Sequence, residues 1–153
     1  MPDIQKCTLV PVRYWSEEES RCILSSLFTI GADEEIRHID FPSLEAVMVY
    51  VPKDGKEPSL AALLRRLEDC PEHNKILARV CDGILDLVIA EGNRLLLANS
   101  FPARDFTSAE YYIFFAMKSL QLNPEVSVIT ICSDISDEEE MSLYRYFKMV
   151  ERI

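Results

Sequence analysis

Apolar residues recur at helical spacing in four stretches of the chain. Between Glu17 and Ile30, Ile23, Leu24, Leu27 and Phe28 share one face, and Gly31 is placed to close the helix in a left-handed cap. After Pro58, Leu60, Leu63, Leu64 and Leu67 oppose Arg65, Arg66 and Glu68; Cys70-Pro71 ends this run, because proline disfavours helical backbone at the preceding residue. Two further helices follow Thr107 and Ser136, the first stopped by Asn123-Pro124. Ser16…Glu19, Thr107…Glu110 and Ser136…Glu139 each have the spacing of a capping box, in which the hydroxyl accepts an orphan N–H of the first turn and the glutamate reaches back to the cap.

Between the helices the pattern changes to short runs of β-branched and apolar residues. Residues 45–51, 76–81, 84–90, 94–101 and 126–132 read as strands, and 8–13 and 36–41 as weaker ones. Asp54-Gly55 and Glu91-Gly92-Asn93 are turn signals, the second reversing a long hairpin. The order is β-α-β-β-α, a hairpin, then α-β-α. It predicts one compact α/β unit over residues 1–153, a mixed β-sheet with covering helices, made of a first part (8–74) and a second (75–153).

Composition agrees with a globular chain: 153 residues, 48% hydrophobic and 27% charged, enough to bury a core without disulfide staples. Twenty-six acidic and sixteen basic side chains leave a formal charge of −10, which repels a phosphate backbone and tells against nucleic-acid partners. No apolar run approaches the ~18 residues of a membrane helix, so membrane insertion is not expected. Cys7, Cys22, Cys70, Cys81 and Cys132 are odd in number, contain no Cys-x-x-Cys pair and follow no signal peptide. They read as reduced thiols of a cytoplasmic protein, with Cys22, Cys81 and Cys132 as small core residues.

The helix after Thr107 carries the most information. Ala109, Tyr112, Ile113, Ala116, Met117 and Leu120 form one apolar stripe, and Tyr111, Phe114 and Phe115 form a second patch on roughly the other side. A helix apolar nearly all round is buried on both sides. Either it is sandwiched within its own domain, or the second patch meets a protein partner or a second copy of the chain.

Arg94-Leu-Leu-Leu-Ala-Asn-Ser-Phe-Pro102, Asp105, Ala109-Glu-Tyr-Tyr-Ile-Phe-Phe115 and Leu120-Gln-Leu-Asn-Pro124 together resemble an uncharacterised bacterial family. It is a domain of unknown function with an actin-like ATPase fold, distantly similar to type IV pilus assembly proteins of that superfamily. Thr8-Leu-Val-Pro11, His73 and Leu143-Tyr-Arg-Tyr-Phe147 extend the likeness over most of the chain. The resemblance implies ribonuclease-H-like halves of β-β-β-α-β-α order, the second supplied by residues 75–153. Relative to the family the chain looks shortened at both ends, which tells against an intact two-lobed nucleotide cleft.

Chemistry-bearing motifs are sparse. Loops that wrap phosphate need glycine where a side chain would obstruct, yet the chain has four glycines in 153 residues against an average near 7%. There is no Gly-x-x-x-x-Gly-Lys and no Gly-x-Gly-x-x-Gly. Asp82-Gly83 reads as a turn between strands. The alternative, implied by the actin-like resemblance, is a weak ATP and magnesium site using Asp82, Gly83, Asp86, Asn99 and Ser100. Cys70-Pro-Glu-His73 lacks the second ligand pair of a structural zinc site. The acidic group Asp134, Asp137, Glu138, Glu139 and Glu140 lacks the spacing of a calcium loop. The reading is therefore a non-catalytic protein without cofactor or metal, acting through contacts at Tyr111, Phe114 and Phe115.

Overall fold

A computed structural model describes residues 4–153. The first part runs β1 (Cys7–Pro11), α1 (Ser20–Ser25), β2 (Arg37–Phe41), β3 (Ala46–Tyr50) and α2 (Ser59–Arg66). The second runs β4 (Asn74–Cys81), β5 (Ile84–Glu91), β6 (Arg94–Pro102), α3 (Phe106–Ser119), β7 (Val128–Ile131), α4 (Asp137–Tyr144) and β8 (Met149–Arg152). The strands divide between two sheets rather than sharing one. The three-stranded sheet has order β1-β3-β2 and is antiparallel throughout. The five-stranded sheet has order β6-β5-β4-β7-β8; β5 runs antiparallel to both its neighbours, whereas β4, β7 and β8 are mutually parallel. Its chain order is the β-β-β-α-β-α implied for a ribonuclease-H-like half, with β8 added at the end.

Side-chain alternation sets the layers. On β5, Leu85, Leu87 and Ile89 face α3 and α4 in a cluster with Ile76, Ile113, Met117, Ile129 and Leu143. Val88 and Ala90, on the opposite face, join Leu77 against Leu60, Leu63 and Leu64 of α2 and Leu67 just after it, and Met48 and Tyr50 of β3 cover the far side of that helix. Val10 and Val49 turn the other way and pack on Leu24 of α1. The molecule is thus stacked as α1, small sheet, α2, large sheet, and then α3 beside α4.

Local details depart from the sequence reading at the helix ends. The first helix is only Ser20–Ser25, preceded by turns from Ser16 onward. Ser16 offers its carbonyl, not its hydroxyl, and receives the Ser20 Oγ at 3.2 Å, while Trp15 Nε1 donates to that hydroxyl at 3.1 Å. Past the helix, Ser26 Oγ donates back to the Ile23 carbonyl at 2.6 Å, and this local bond competes with helical propagation. Gly31 is not in the left-handed region. The third helix is capped by Asp105, not Thr107: the Asp105 carboxylate accepts the Ser108 N–H at 2.7 Å from extended backbone, two residues earlier than predicted. It ends at Gln121, whose φ of 60° permits the Leu122 N–H to reach the Met117 carbonyl at 2.9 Å. Only Ser136…Glu139 forms the full capping box. β8 escaped the sequence pattern because it is four residues long with only Val150 buried. Cys22 is exposed rather than in the core. Among the described residues no helix is long and apolar enough to cross a membrane.

Because α2 is covered by a sheet on each side, a cavity there cannot be filled by solvent-side relaxation. Leu64→Ala, at a position 1% exposed, is expected to lower the unfolding free energy by about 2–5 kcal/mol in urea denaturation. Leu27→Ala, at a position 59% exposed, is expected to change it by no more than about 0.5 kcal/mol.

Candidate functional site

The strand register places three polar side chains across the middle of the large sheet. Arg79 on β4 lies opposite Asp86 on β5, and Asp86 lies opposite Ser100 on β6. All face α2, whose first residue is Ser59. Asp86 is 1% exposed. One carboxylate oxygen accepts the Ser59 hydroxyl at 2.5 Å and the other accepts the Ser100 hydroxyl at 2.6 Å. The Arg79 guanidinium stands 3.6 Å away, itself partly open to solvent. A buried carboxylate is tolerable only when its lone pairs are occupied and a positive group is near, and here both conditions hold. The nearby Cys7 thiol is pushed up to about 11 by burial and by the Asp86 charge, so it stays protonated.

Asp82 and Asp86 are not brought together. Asp82 and Gly83 are the two residues of the β4–β5 turn, with φ of 53° and 76°, the left-handed pair that a tight hairpin needs. Asp82 is exposed there. Asn99 is also exposed, and its side-chain oxygen accepts the Ser100 N–H at 2.9 Å. Of the five residues of the ATP reading, only Asp86 and Ser100 are joined side chain to side chain. Beside the turn lies an open cleft of about 270 Å³. Lys53, Lys56 and Arg79 are matched there by Asp54, Glu57 and Asp82, so the lining carries no net charge. Among the described residues no three His, Cys, Asp or Glu side chains gather as a metal cluster. Sequence reasoning passed over Ser59 and Arg79. Ser59 was visible as the polar residue opening the Leu-Ala-Ala run, but Arg79 becomes meaningful only through the β4–β5 register.

The second candidate site is the outer surface of α3. Ala109, Ile113, Ala116 and Met117 face the sheet. Tyr111 and Phe115, one turn apart, point outward with 62% and 59% of their surface exposed. Their rings stack at 6.1 Å, Tyr111 meets Tyr112 edge-on at 5.5 Å, and Tyr112 stacks on Phe101 of β6 at 4.8 Å. Phe114 does not share this face, which corrects the three-residue patch: its ring turns toward the end of α4, 4.7 Å from Tyr146 and 5.6 Å from buried Phe147. A 3.6-residue turn separates Phe114 from Phe115 by about 100°, enough to put one inside and one outside. Glu110 also points to α4, accepting the Ser142 hydroxyl at 3.0 Å. Burial raises its carboxyl above the ordinary 4.5, outweighing the Ser142 hydrogen bond and the charge of Arg145.

This architecture matches a solved one. The chain aligns over 97% of its length, with a TM-score of 0.79 and 17% identity, with a Bacteroides thetaiotaomicron protein described as having an actin-like ATPase fold and unknown function. The fold is therefore actin-like. The chain spans 65% of that protein's length. Residues 56–150 match the profile of a family described as protein of unknown function (DUF3822), and the chain belongs to that family. Comparison with curated proteins gave no match.

Asp86→Ala would leave the Ser59 and Ser100 hydroxyls without their acceptor and Arg79 without its counter-charge. It is expected to cost about 3–5 kcal/mol in denaturant titration, whereas Asp86→Asn, which keeps an acceptor, should cost about 1–3 kcal/mol. Glu110 supplies a pH test. Its folded value lies above its unfolded one, so its contribution to stability is full below about pH 4.5 and is lost as pH rises through the raised value. Glu110→Gln stays neutral and still accepts from Ser142. Its melting temperature should exceed that of the parent at neutral pH, and the gap should close below that same pH.

Proposed function

We propose that the chain works by protein–protein contact across the outward face of α3, without catalysing a reaction and without a bound nucleotide or metal. The observation that carries this reading is the open aromatic pair Tyr111 and Phe115. Large aromatics placed side by side on a helix that already buries its other face are a feature of contact surfaces, where they supply apolar area at small entropic cost. The polar cluster supports the same reading. Both oxygens of Asp86 are held by serine hydroxyls in the interior, so neither is offered to a metal or a substrate. The neighbouring cleft offers no excess positive charge to a triphosphate. All five cysteines are free thiols, which supports a reducing, cytoplasmic setting.

The test is site-specific photocrosslinking of the full chain inside its own cells. A photoreactive residue at position 115 is expected to give discrete adducts, and one at exposed position 62 on α2 to give none. Tyr111→Asp should cut the yield from position 115 at least about tenfold, and in a lysate of the same cells added ATP with magnesium should leave the yield unchanged. Equal yields from both positions, or none from position 115, would reject the contact surface.

A further inference from the structure

Two of the five thiols lie on the seam between α2 and the large sheet. Cys70 closes the turn that follows α2, its N–H donating to the Leu67 carbonyl at 3.2 Å. It walls a small recess of about 90 Å³ together with Arg66, Leu77 of β4 and Thr130 of β7. Cys132 comes two residues after Thr130. Its N–H donates to the Ala78 carbonyl at 2.8 Å, so it continues the β7 ladder beside β4. Alternation then puts its side chain on the same face as that of Thr130, toward α2. Both cysteines pack against the apolar cluster that holds Leu67 and Leu77, and both are partly open to solvent. They stand near enough for a charge on one to act on the other. The remaining three are placed elsewhere: Cys22 is exposed on α1, Cys7 lies beside Asp86, and Cys81 lines the cleft at the β4–β5 turn.

We propose that Cys70 and Cys132 form a reversible disulfide in response to peroxide, and that this bond locks the end of α2 onto β7. The inference is independent of the contact reading of α3. Burial holds the Cys132 thiol above the ordinary 9.0; the Arg66 charge opposes that rise and the Cys70 charge adds to it. Cys132 is thus kept protonated, and the first step falls to Cys70. Its thiolate attacks one oxygen of hydrogen peroxide. A sulfur–oxygen bond forms, the oxygen–oxygen bond breaks, and proton uptake leaves a sulfenic acid and water. The Cys132 sulfur then attacks the sulfenic sulfur. The disulfide forms, the sulfur–oxygen bond breaks, and the Cys132 proton leaves with hydroxide as a second water. The two thiols are oxidised and the peroxide is reduced. A dithiol reductant reverses the bond by exchange. Such a bond is transient in a reducing compartment and serves as a sensor there, in keeping with thiols that are free at rest. At its start α2 is already tied to the large sheet by Ser59 and Asp86. The disulfide clamps its other end, so the oxidised chain holds the seam between its two parts at both ends of one helix.

The test is peptide mapping of the reduced full chain after exposure to hydrogen peroxide and alkylation of the remaining thiols. Trypsin places Cys22, Cys70, Cys81 and Cys132 in four different peptides, so each pairing is distinguishable. The expected product is a monomer that has lost two hydrogens and yields a peptide linking Cys70 to Cys132, which dithiothreitol removes. Cys22→Ser should leave its yield unchanged. Cys132→Ser should instead leave Cys70 as a sulfenic acid that dimedone traps. Circular dichroism verifies that both variants are folded. The oxidised parent should melt about 5–10 °C above the reduced one, because the bond closes the long loop of residues 70–132. A parent chain in which Cys70 and Cys132 stay unlinked, or link mainly to Cys22, Cys81 or another chain, overturns the pair. An oxidised chain that melts no higher than the reduced one overturns the lock.

Discussion

Burial of β5 on both faces is the constraint on which the rest of the structure depends. A strand in the middle of a sheet has no free hydrogen-bonding edge, and with helices above and below it has no solvent face either. Leu85, Leu87 and Ile89 commit one face to α3 and α4, and Val88 and Ala90 commit the other to α2. Once α2 is fixed against β5, its remaining apolar surface has to be covered. Met48 and Tyr50 of the small sheet do that, and Val49, pointing away from α2, draws α1 onto the outside. Each layer exists because the previous one leaves an apolar face open, and the stacking stops at α1 and at the α3/α4 layer.

Asp86 sits on this strand as a deliberate exception to its apolar pattern. A lone carboxylate between α2 and β5 would oppose folding strongly. With Ser59, Ser100 and Arg79 arranged around it, the same group becomes directional. It can be satisfied only when the start of α2, the middle of β6 and the inner end of the Arg79 side chain arrive together. Apolar packing alone leaves α2 free to slide by a turn along the sheet, since leucine at helical spacing fits several registers. A hydrogen bond from the first residue of the helix removes that freedom. The polar cluster therefore specifies how the two parts of the chain meet, and its placement next to the cleft follows from where α2 begins.

Much of this was legible in the order of residues, for physical reasons that differ by element. The leucines of α2 and the continuous apolar runs of β4, β5 and β7 signal burial directly, and Asp82-Gly83 states its own turn geometry. Helix starts were less secure, because capping spacing is shared by residues that do not cap. Asp105 outcompetes Thr107 because a carboxylate two residues earlier already satisfies the Ser108 N–H, leaving Glu110 free to bind Ser142. The division into two sheets was hidden, since strand partners are set by packing between distant segments. For the same reason the Asp86 cluster could not be assembled from the sequence: its members are 7, 14 and 27 residues from Asp86. On α3 the sequence identified the aromatic surplus but not its split, which depends on Phe147 drawing Phe114 inward.

That split decides what kind of surface α3 is. Had Tyr111, Phe114 and Phe115 formed one broad patch, the helix would have resembled a core element stripped of its cover, sticky toward any apolar surface. With Phe114 folded in beside Tyr146 and Phe147, the open part narrows to two stacked rings bounded by Arg104 and Lys118. Exposed Arg104 and Lys118 stand at the two ends of this stretch, with the exposed Asp105 carboxylate beside Arg104. Apolar area supplies the adhesion while charge selects the approach. The neighbouring helix α4 opens with Asp137, Glu138, Glu139 and Glu140, acids that favour the positive end of the helix dipole. The charge of this layer is thus concentrated at the start of α4, while its open aromatic surface lies on α3.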